Sequence, residues 1–410
     1  MCSMEELNAG EAFDPKEMKK NLEIAELLAK GAMVMSPAAK RRLAARRLEM
    51  GVEQDSEFVP PRHVLLYLVR MGSFSSTPKI ENPDSEDDDV IPTYQPSSRE
   101  ELIDRCRNEI EECGRPPLLL RHFRRLVGDS PFVRVLQWNV LSQCLGKNHD
   151  CFVESAEGVL DWPARRIMML QEIIQYNPDV ICLQEVDHFR FLEAALGSIG
   201  YSGKFFEKPD SPCLYLADNN GPDGTAVFFR KSKFELISSH TRILEVWRIQ
   251  SNQVSLACLL RERSTGEEIC VAATHLKAKA GALLATLRDN QGKDLLNWLS
   301  TVSDGRPIVL CGDFNAEPTE PVYMSTTTHS LGLRSAYCVD GEEPRYTTWK
   351  IRAEGEICHT IDYIFHSGRL SPAALLEFPD EETIGPARVP SLHYPSDHFS
   401  LVADFSLRKA

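Results

Sequence analysis

The order of apolar and polar residues changes near residue 132. Beyond that point, short apolar runs of strand length recur, and several are separated by longer stretches with apolar residues three or four positions apart. The short runs predict strands at 133–141, 180–186, 224–230, 253–260, 269–276, 307–314, 360–366 and 400–405. The longer stretches predict helices at 163–176, 189–199 and 281–302, and Pro163 suits the first turn of its helix.

The number and order of these elements limit the fold class. Strands outnumber helices, and some strands follow one another directly, so a simple β-α-β repeat does not fit. The pattern predicts an α/β fold in which two mixed sheets pack face to face with helices on the outside.

The first 130 residues have a different composition and a different pattern of apolar and charged residues. We predict a helical extension over 1–72, an acidic disordered linker over 73–98 and a lead-in helix over 99–130, before a catalytic domain at 131–410. The amphipathic stretch 14–50 mixes both charges, which is more typical of a solvated helix than of a targeting or partner-binding one. Ser98 followed by Glu101 predicts a capping box at the start of the lead-in helix.

Composition excludes several classes of protein. The 410 residues carry a formal net charge of −14, which argues against diffuse binding of long nucleic acid. No apolar run approaches the roughly 18 residues of a membrane span, and the acidic N-terminus does not resemble a secretory or mitochondrial leader. The 12 cysteines form no C-x-x-C pair, which favours buried thiols in a reducing compartment. We therefore expect a cytoplasmic protein, with mitochondrial association as the alternative.

Polar residues stand at the ends of several predicted strands. Asn139, Glu185, His275 and Asp313 each close an apolar run, and Asn315 follows Asp313 by two residues. Any one of them alone would more often be a surface or structural residue. An ordered series of such residues, joined by Asp362, Asp397 and His398, favours one common cleft.

The residue types in this series indicate a chemistry. Carboxylates and amides without cysteine suit a hard cation such as Mg²⁺ or Mn²⁺, which Glu185 and Asn139 could hold. Asp313 and Asn315 combine a base with a neutral donor, which suits phosphoester hydrolysis. Asp362 beside His398 would favour the charged form of the imidazole.

Six motifs within the series also resemble a known family. They are QWN at 137–139, LQEVD at 183–187, THL at 274–276, GDFN at 312–315, HTIDYI at 359–364 and SDH at 396–398. Together and in this order they resemble the exonuclease–endonuclease–phosphatase superfamily, and within it a deadenylase-like branch. The resemblance covers about 132–405 and none of the first 130 residues.

The resemblance implies a four-layer α/β sandwich and a role for each matched residue. In these roles, Glu185 binds Mg²⁺ with help from Asn139 and Asp397, and Asp313 orients or deprotonates the attacking water. The resemblance also implies that Asn315 and His398 hold phosphate oxygens. It further implies that Asp362 holds His398 and that His275 contacts phosphate.

One group of this branch removes the 2′-phosphate of NADP⁺ and NADPH, and the resemblance implies these substrates here. The residues that would contact them are Lys208, Gly224, Lys277, Lys279, Trp349 and Arg352. Each basic residue could equally be a solvated surface charge, and Trp349 could stack on a ring or belong to the core. The chain departs from that group at Lys279, where the group has arginine.

Two alternatives remain open. One is a 3′-to-5′ exoribonuclease that acts on poly(A) RNA, and the other is a catalytically idle protein whose N-terminal region binds mRNA-regulating partners. The intact series from Asn139 to His398 argues against an idle protein. An acidic chain with a compact basic pocket suits a small anionic cofactor better than long RNA.

Overall fold

The computed structural model describes residues 98–126, 132–148, 150, 152–217 and 219–408. The predicted extension over 1–72 and all but the last residue of the predicted linker over 73–98 lie outside these residues. The helices are α1 (Arg99–Glu112), α2 (Gln143–Asn148), α3 (Trp162–Gln175), α4 (Phe189–Ser198), α5 (Ala282–Ser303), α6 (Pro321–Thr328) and α7 (Glu381–Ile384).

The strands run from β1 near the start of the described chain to β15 near its end. They are β1 (Phe123–Arg125), β2 (Val133–Asn139), β3 (Val180–Val186), β4 (Tyr201–Glu207), β5 (Gly224–Arg230), β6 (Phe234–Val246), β7 (Ile249–Glu262), β8 (Glu268–His275), β9 (Ile308–Asp313), β10 (Arg334–Ser335), β11 (Thr348–Arg352), β12 (Gly355–His359), β13 (Asp362–His366), β14 (Leu370–Leu376) and β15 (Leu401–Leu407).

Most of these strands form two mixed sheets. One has seven strands in the order β1-β14-β15-β2-β3-β5-β4, and the other has six in the order β10-β13-β9-β8-β7-β6. Each sheet contains one parallel pair, β2 with β3 and β8 with β9, and its other pairs are antiparallel. Strands β11 and β12 form a separate hairpin.

Alternation along the strands builds a core on each side of each sheet. On β2, Val133 and Val135 face the space between the sheets, whereas Trp138 joins the core beneath α1, α3 and α4. On β9, Cys311 faces the space between the sheets and Leu310 faces the core beneath α5. The layers are therefore helices, sheet, sheet and helices, which confirms the predicted four-layer α/β sandwich.

The described part of the predicted lead-in segment, residues 99–126, packs against this sandwich. The capping box of Ser98 and Glu101 starts α1 as expected, and the apolar face of α1 packs into the core beneath α3. After it, β1 pairs with β14 at the edge of the seven-stranded sheet. Arg121 is buried there, where it donates to Ser400 Oγ at 3.0 Å and lies 3.4 Å from the carboxylate of Glu172.

Several strands have no counterpart in the sequence prediction. The longest is β6, an edge strand whose residues are largely half-buried or exposed and form no apolar run. Strand β4 is a sheet edge as well, and its residues are mostly half-buried. Within the described part of the chain, no helix is long and apolar enough to cross a bilayer.

The parallel pairs determine where the site lies. Asn139 and Glu185 lie at the carboxyl ends of β2 and β3, and His275 is paired with Asp313 at the carboxyl ends of β8 and β9. Asp362 begins β13 directly opposite Asp313. Because the two sheets pack face to face, these ends meet at one edge of the sandwich.

Gly312, on β9, packs closely against the backbone of β8 at this edge. A Cβ at Gly312 would lie 2.7 Å from the carbonyl oxygen of Thr274 on β8. We expect Gly312→Ala to reduce the free energy of unfolding by about 1–3 kcal/mol because backbone would have to move. Urea unfolding measures this change. Gly197→Ala is the matched control, because nothing lies within 4 Å of the added carbon, and equal stability of the two variants would contradict the prediction.

Candidate active site

Asp313 lies at the centre of the polar residues gathered at this edge. Its Oδ1 accepts from the backbone N–H of Asn315 at 2.8 Å, and its Oδ2 accepts from Asn139 Nδ2 at 2.9 Å. The imidazole Nε2 atoms of His275 and His398 lie 3.7 and 3.8 Å from the same Oδ2. The structure thus brings these five predicted residues together.

Burial sets the protonation behaviour of Asp313. Loss of water raises the pKa of this carboxyl to about 6, and the nearby charge of Asp362 acts in the same direction. The positive charge of His398 and the hydrogen bonds from Asn139 and Asn315 oppose the shift. A carboxylate with a pKa near neutrality is suited to accept a proton from water.

His398 and Asp362 form the pair that the sequence predicted. His398 Nδ1 lies 2.8 Å from Asp362 Oδ2, which also accepts from Thr347 Oγ1 at 2.7 Å. Burial alone would lower the pKa of His398, but Asp362, with Asp397 and Asp313, raises it to about 9. The ring is therefore a charged donor whose orientation is held by Asp362.

Glu185 lies at a break in the regular sheet. The register between β3 and β5 shifts between Leu183 and Val186, and Glu185 itself has a φ of 57°. Its two carboxylate oxygens accept from Asn139 Nδ2 at 3.0 Å and from the Ser142 N–H at 3.1 Å. This irregular backbone turns the partly exposed carboxylate of Glu185 toward Asn139 and the cleft.

The charges around Glu185 favour a bound cation. Partial burial raises the pKa of Glu185 to about 7, the positive charge of Lys208 opposes the rise, and Asp150, Asp397 and Asp223 add to it. Asn139 presents its amide nitrogen to Glu185 and Asp313, and its Oδ1 accepts from Leu141 N–H at 3.0 Å.

Asp397, the third predicted metal ligand, is held by cations of the protein. Its Oδ2 pairs with Lys350 Nζ and lies 3.4 Å from Arg352 NH2. Burial would raise the pKa of Asp397, but Lys350, His398 and Arg352 hold it well below its usual range.

A second set of residues could also hold a metal ion. One potential ligand atom from each of Asp313, Asp362 and His398 lies within 4.8 Å of the others, and all three residues are buried. The donors already bound to Asp362 reduce its capacity to take an ion, because Oδ2 accepts from both Thr347 and His398.

His275 lies between Asp313 and a group of lysines. Its Nε2 lies 3.0 Å from Asn315 Nδ2, and its Nδ1 lies 3.4 Å from Lys208 Nζ. Burial, with the positive charges of Lys208, His398 and Lys277, holds the pKa of His275 well below its usual range. His275 is therefore neutral at physiological pH.

Lys208 and Lys277, two of the predicted substrate contacts, are buried near His275. Lys208 forms a 2.5 Å ion pair with the fully buried Asp223. Lys279, two residues after Lys277, is exposed and has a φ of 82°. Burial, with Lys208 and Lys279, lowers the pKa of Lys277 to about 8.

Arg352 lies on the opposite side of the cleft. Its NH2 pairs with Asp150 Oδ1 at 2.8 Å and lies near Asp397, and its guanidinium lies over the ring of Phe152 at 5.5 Å. The predicted substrate-binding side chain is thus already oriented by two carboxylates.

Two of the predicted substrate contacts have structural explanations. Trp349 is buried in the core, where its ring packs against Tyr346 and lies 4.1 Å beneath the guanidinium of Arg388. Gly224 is required by close strand pairing, because a Cβ there would lie 2.4 Å from the carbonyl oxygen of Phe206. In the structure, Trp349 is part of the core and Gly224 is part of the strand pairing, and neither lies among the charged side chains that line the cleft.

Lys350 and Asp223 are charged residues at the site that were not singled out from the sequence. Lys350 is buried, pairs with Asp397, and places its Nζ 3.4 Å from His398 Nε2. Alternation along β11 was the available signal, because it puts Lys350 and Arg352 on one face and Trp349 on the other. Asp223 lies within a G-P-D-G segment and gave no signal distinct from a turn.

Comparisons with known proteins agree with this geometry. The model of the Endonuclease/Exonuclease/phosphatase family matches residues 136–398. Nocturnin of Drosophila melanogaster is 45% identical over 474 residues, which covers 96% of this chain and 73% of that protein.

Two solved structures share the fold. The human nocturnin catalytic domain with a bound sulfate anion has a TM-score of 0.60 and 41% identity, and the match covers 72% of this chain and 100% of that one. ANGEL2, a 2′,3′-cyclic phosphatase in complex with adenosine-2′,3′-vanadate, has a TM-score of 0.59 and 26% identity, with 71% and 100% covered. This chain therefore belongs to the nocturnin family of phosphoesterases, within the endonuclease/exonuclease/phosphatase superfamily.

Proposed function

We propose that this enzyme removes the 2′-phosphate of NADP⁺ and NADPH to give NAD⁺ and NADH, with Mg²⁺, or alternatively Mn²⁺, as cofactor. The observation that carries the proposal is the placement of cations on both sides of the reacting groups. Lys208 and Lys277 lie on the His275 side, whereas Lys350 and Arg352 lie on the His398 side. A ligand with one terminal phosphate and a separate diphosphate would meet both groups.

Overall charge supports a small substrate. The chain has a net charge of −14, so attraction for phosphate is confined to the cleft. A related structure holds an adenosine-2′,3′-vanadate, which supports chemistry at a ribose hydroxyl.

The residues of the cleft suggest a division of labour. Asp313 would take a proton from the attacking water, because its carboxylate is fixed by Asn139 and Asn315 and points at the cleft. His398, held by Asp362, would donate to a phosphate oxygen. The amide nitrogen of Asn315 lies 3.0 Å from His275 Nε2 and from the Leu276 carbonyl oxygen, and it would exchange one of these contacts to donate to the phosphate. His275 is neutral and lies between Asn315 and Lys208, so its single acceptor nitrogen would hold one of these two donors beside the phosphate.

Glu185 is our choice for the principal metal ligand, with Asn139 and Asp397 nearby. The partly exposed carboxylate fits a hard cation that keeps water and phosphate oxygens as its other ligands. Asp362 is disfavoured because Thr347 and His398 already donate to it. When bound, the ion would supply positive charge to the phosphate.

Phosphate release from NADPH by the purified full chain in Mg²⁺ tests this function. We expect release that a chelator abolishes and added Mg²⁺ restores, and a loss of about 100-fold or more in Glu185→Ala, since several kcal/mol of charge stabilisation depends on the ion. Glu193→Ala changes an exposed carboxylate on α4 and is the matched control. Polyadenylated RNA is assayed in parallel, and shortening of RNA without phosphate release from NADPH would replace the proposal with the exoribonuclease alternative.

The full chain is the appropriate material for this assay. Helix α1 and strand β1 both contribute to the sandwich, so a fragment that begins near residue 120 would lose part of the core.

The pKa of Lys277 leads to a pH prediction. Burial and neighbouring lysines lower this pKa to about 8, so the ammonium is charged below pH 8 and neutral above it. We expect kcat/KM for NADPH to fall as pH rises through about 8, by up to about tenfold per pH unit, because the pocket loses a positive charge.

Two arginine variants distinguish Lys277 from its neighbour. Lys277→Arg should lack the fall because guanidinium stays charged throughout this range, and Lys279→Arg should keep it. The same fall in Lys277→Arg would assign the titration to another group.

A further inference from the structure

A buried arginine on α5 contacts the loop that carries two of the pocket lysines. Arg288 is 1% exposed, and its NH1 donates to the carbonyl oxygen of Lys277 at 3.0 Å and to that of Lys279 at 2.7 Å. One guanidinium nitrogen therefore fixes the backbone on both sides of Ala278. The loop follows β8, which ends at His275.

The same guanidinium reaches the loop that follows β9. Its Nε and NH2 lie 3.0 and 2.6 Å from Glu320 Oε2. Glu320 immediately precedes α6 and lies seven positions after Asp313. Arg288 thus ties together the chain segments that leave two neighbouring catalytic strands.

The backbone of the lysine loop requires such support. Lys279 has a φ of 82°, which a residue with a side chain adopts only at a cost in free energy. Gln291, one turn after Arg288 on α5, accepts from the Lys277 N–H at 3.1 Å. Two side chains from one face of α5 therefore hold the loop in its unusual conformation.

We propose that Arg288, with Glu320 as its partner, is a positioning residue that sets substrate affinity by fixing Lys277 and Lys279 beside the cleft. Its guanidinium contacts loop carbonyls and a carboxylate rather than the reacting atoms, so its effect would fall on binding. The proposal rests on the proposed phosphatase activity only for the identity of the substrate.

The test is the kinetics of Arg288→Met with NADPH. We expect KM to rise about tenfold while kcat stays within about threefold, because the remote phosphate contacts are lost and the Asp313 centre is intact. Hydrogen exchange of the Lys277 amide should become faster, since the loop opens more often. Glu320→Gln, which keeps an acceptor oxygen but removes the charge, should change KM in the same direction by less.

A control is available at a second arginine–carboxylate pair that involves the same helix, between Arg242 of β6 and Asp294 of α5. Arg242 makes a two-point ion pair with Asp294 of α5, at 3.0 and 2.7 Å, and no hydrogen bond to the lysine loop. Arg242→Met should change neither KM nor the exchange of the Lys277 amide. If it raises KM as much as Arg288→Met does, Arg288 merely stabilises α5 and the proposal fails.

A double variant separates positioning from general damage. Arg288→Met combined with Lys279→Met should raise KM by less than the product of the single effects, because both changes disable the same contact. If the double variant raises KM by the full product of the two single increases, or if kcat falls while KM is unchanged, the proposal is overturned.

The outcome also distinguishes this inference from the proposed function. If the unmodified enzyme releases no phosphate from NADPH, the proposed function fails. Faster exchange at Lys277 and weaker binding of inorganic phosphate in Arg288→Met would still support the positioning role, and unchanged exchange would reject it.

Discussion

The buried Asp313 carboxylate is the group on which the site depends. A carboxylate removed from water must be surrounded by donors to stay charged, and those donors come from both sheets. Asn139 ends β2 of the seven-stranded sheet, and Asn315 follows β9 of the six-stranded sheet. The packing of the two sheets therefore does more than form a core. It also places the groups that fix the Asp313 carboxylate.

Pairs of opposite charge surround the Asp313 carboxylate. Asp362 keeps His398 charged, and Lys350 with Arg352 keeps Asp397 charged, so both of these buried ions have oppositely charged neighbours. On the His275 side, Asp223 neutralises Lys208, whereas burial, followed by repulsion from Lys208 and Lys279, lowers the pKa of Lys277 to about 8. An anionic phosphate would relieve that repulsion, which links the stability of the pocket to substrate binding.

The sequence predicted the parts of this arrangement that have a strong local pattern. Buried strands such as β9 are continuous apolar runs, so their polar ends, Asp313 among them, could be identified. Edge strand β6 has no such run and was missed. The other site features depend on tertiary contacts. Trp349 lies in the core and Lys350 faces the site because of how the β11–β12 hairpin is oriented, and a single sequence does not specify that orientation. Likewise, α1 belongs to the sandwich through packing on α3.

A crystal structure of Asp313→Asn with NADP⁺ and Mg²⁺ would test the central claim most directly, because the substitution keeps the shape of the site and removes the base. The account predicts the 2′-phosphate against Asn315 and His398, the diphosphate near the lysines or Arg352, and the ion at Glu185. A 2′-phosphate bound away from Asn315 and His398, or an ion held by Asp362 and His398 with Glu185 uninvolved, would contradict it.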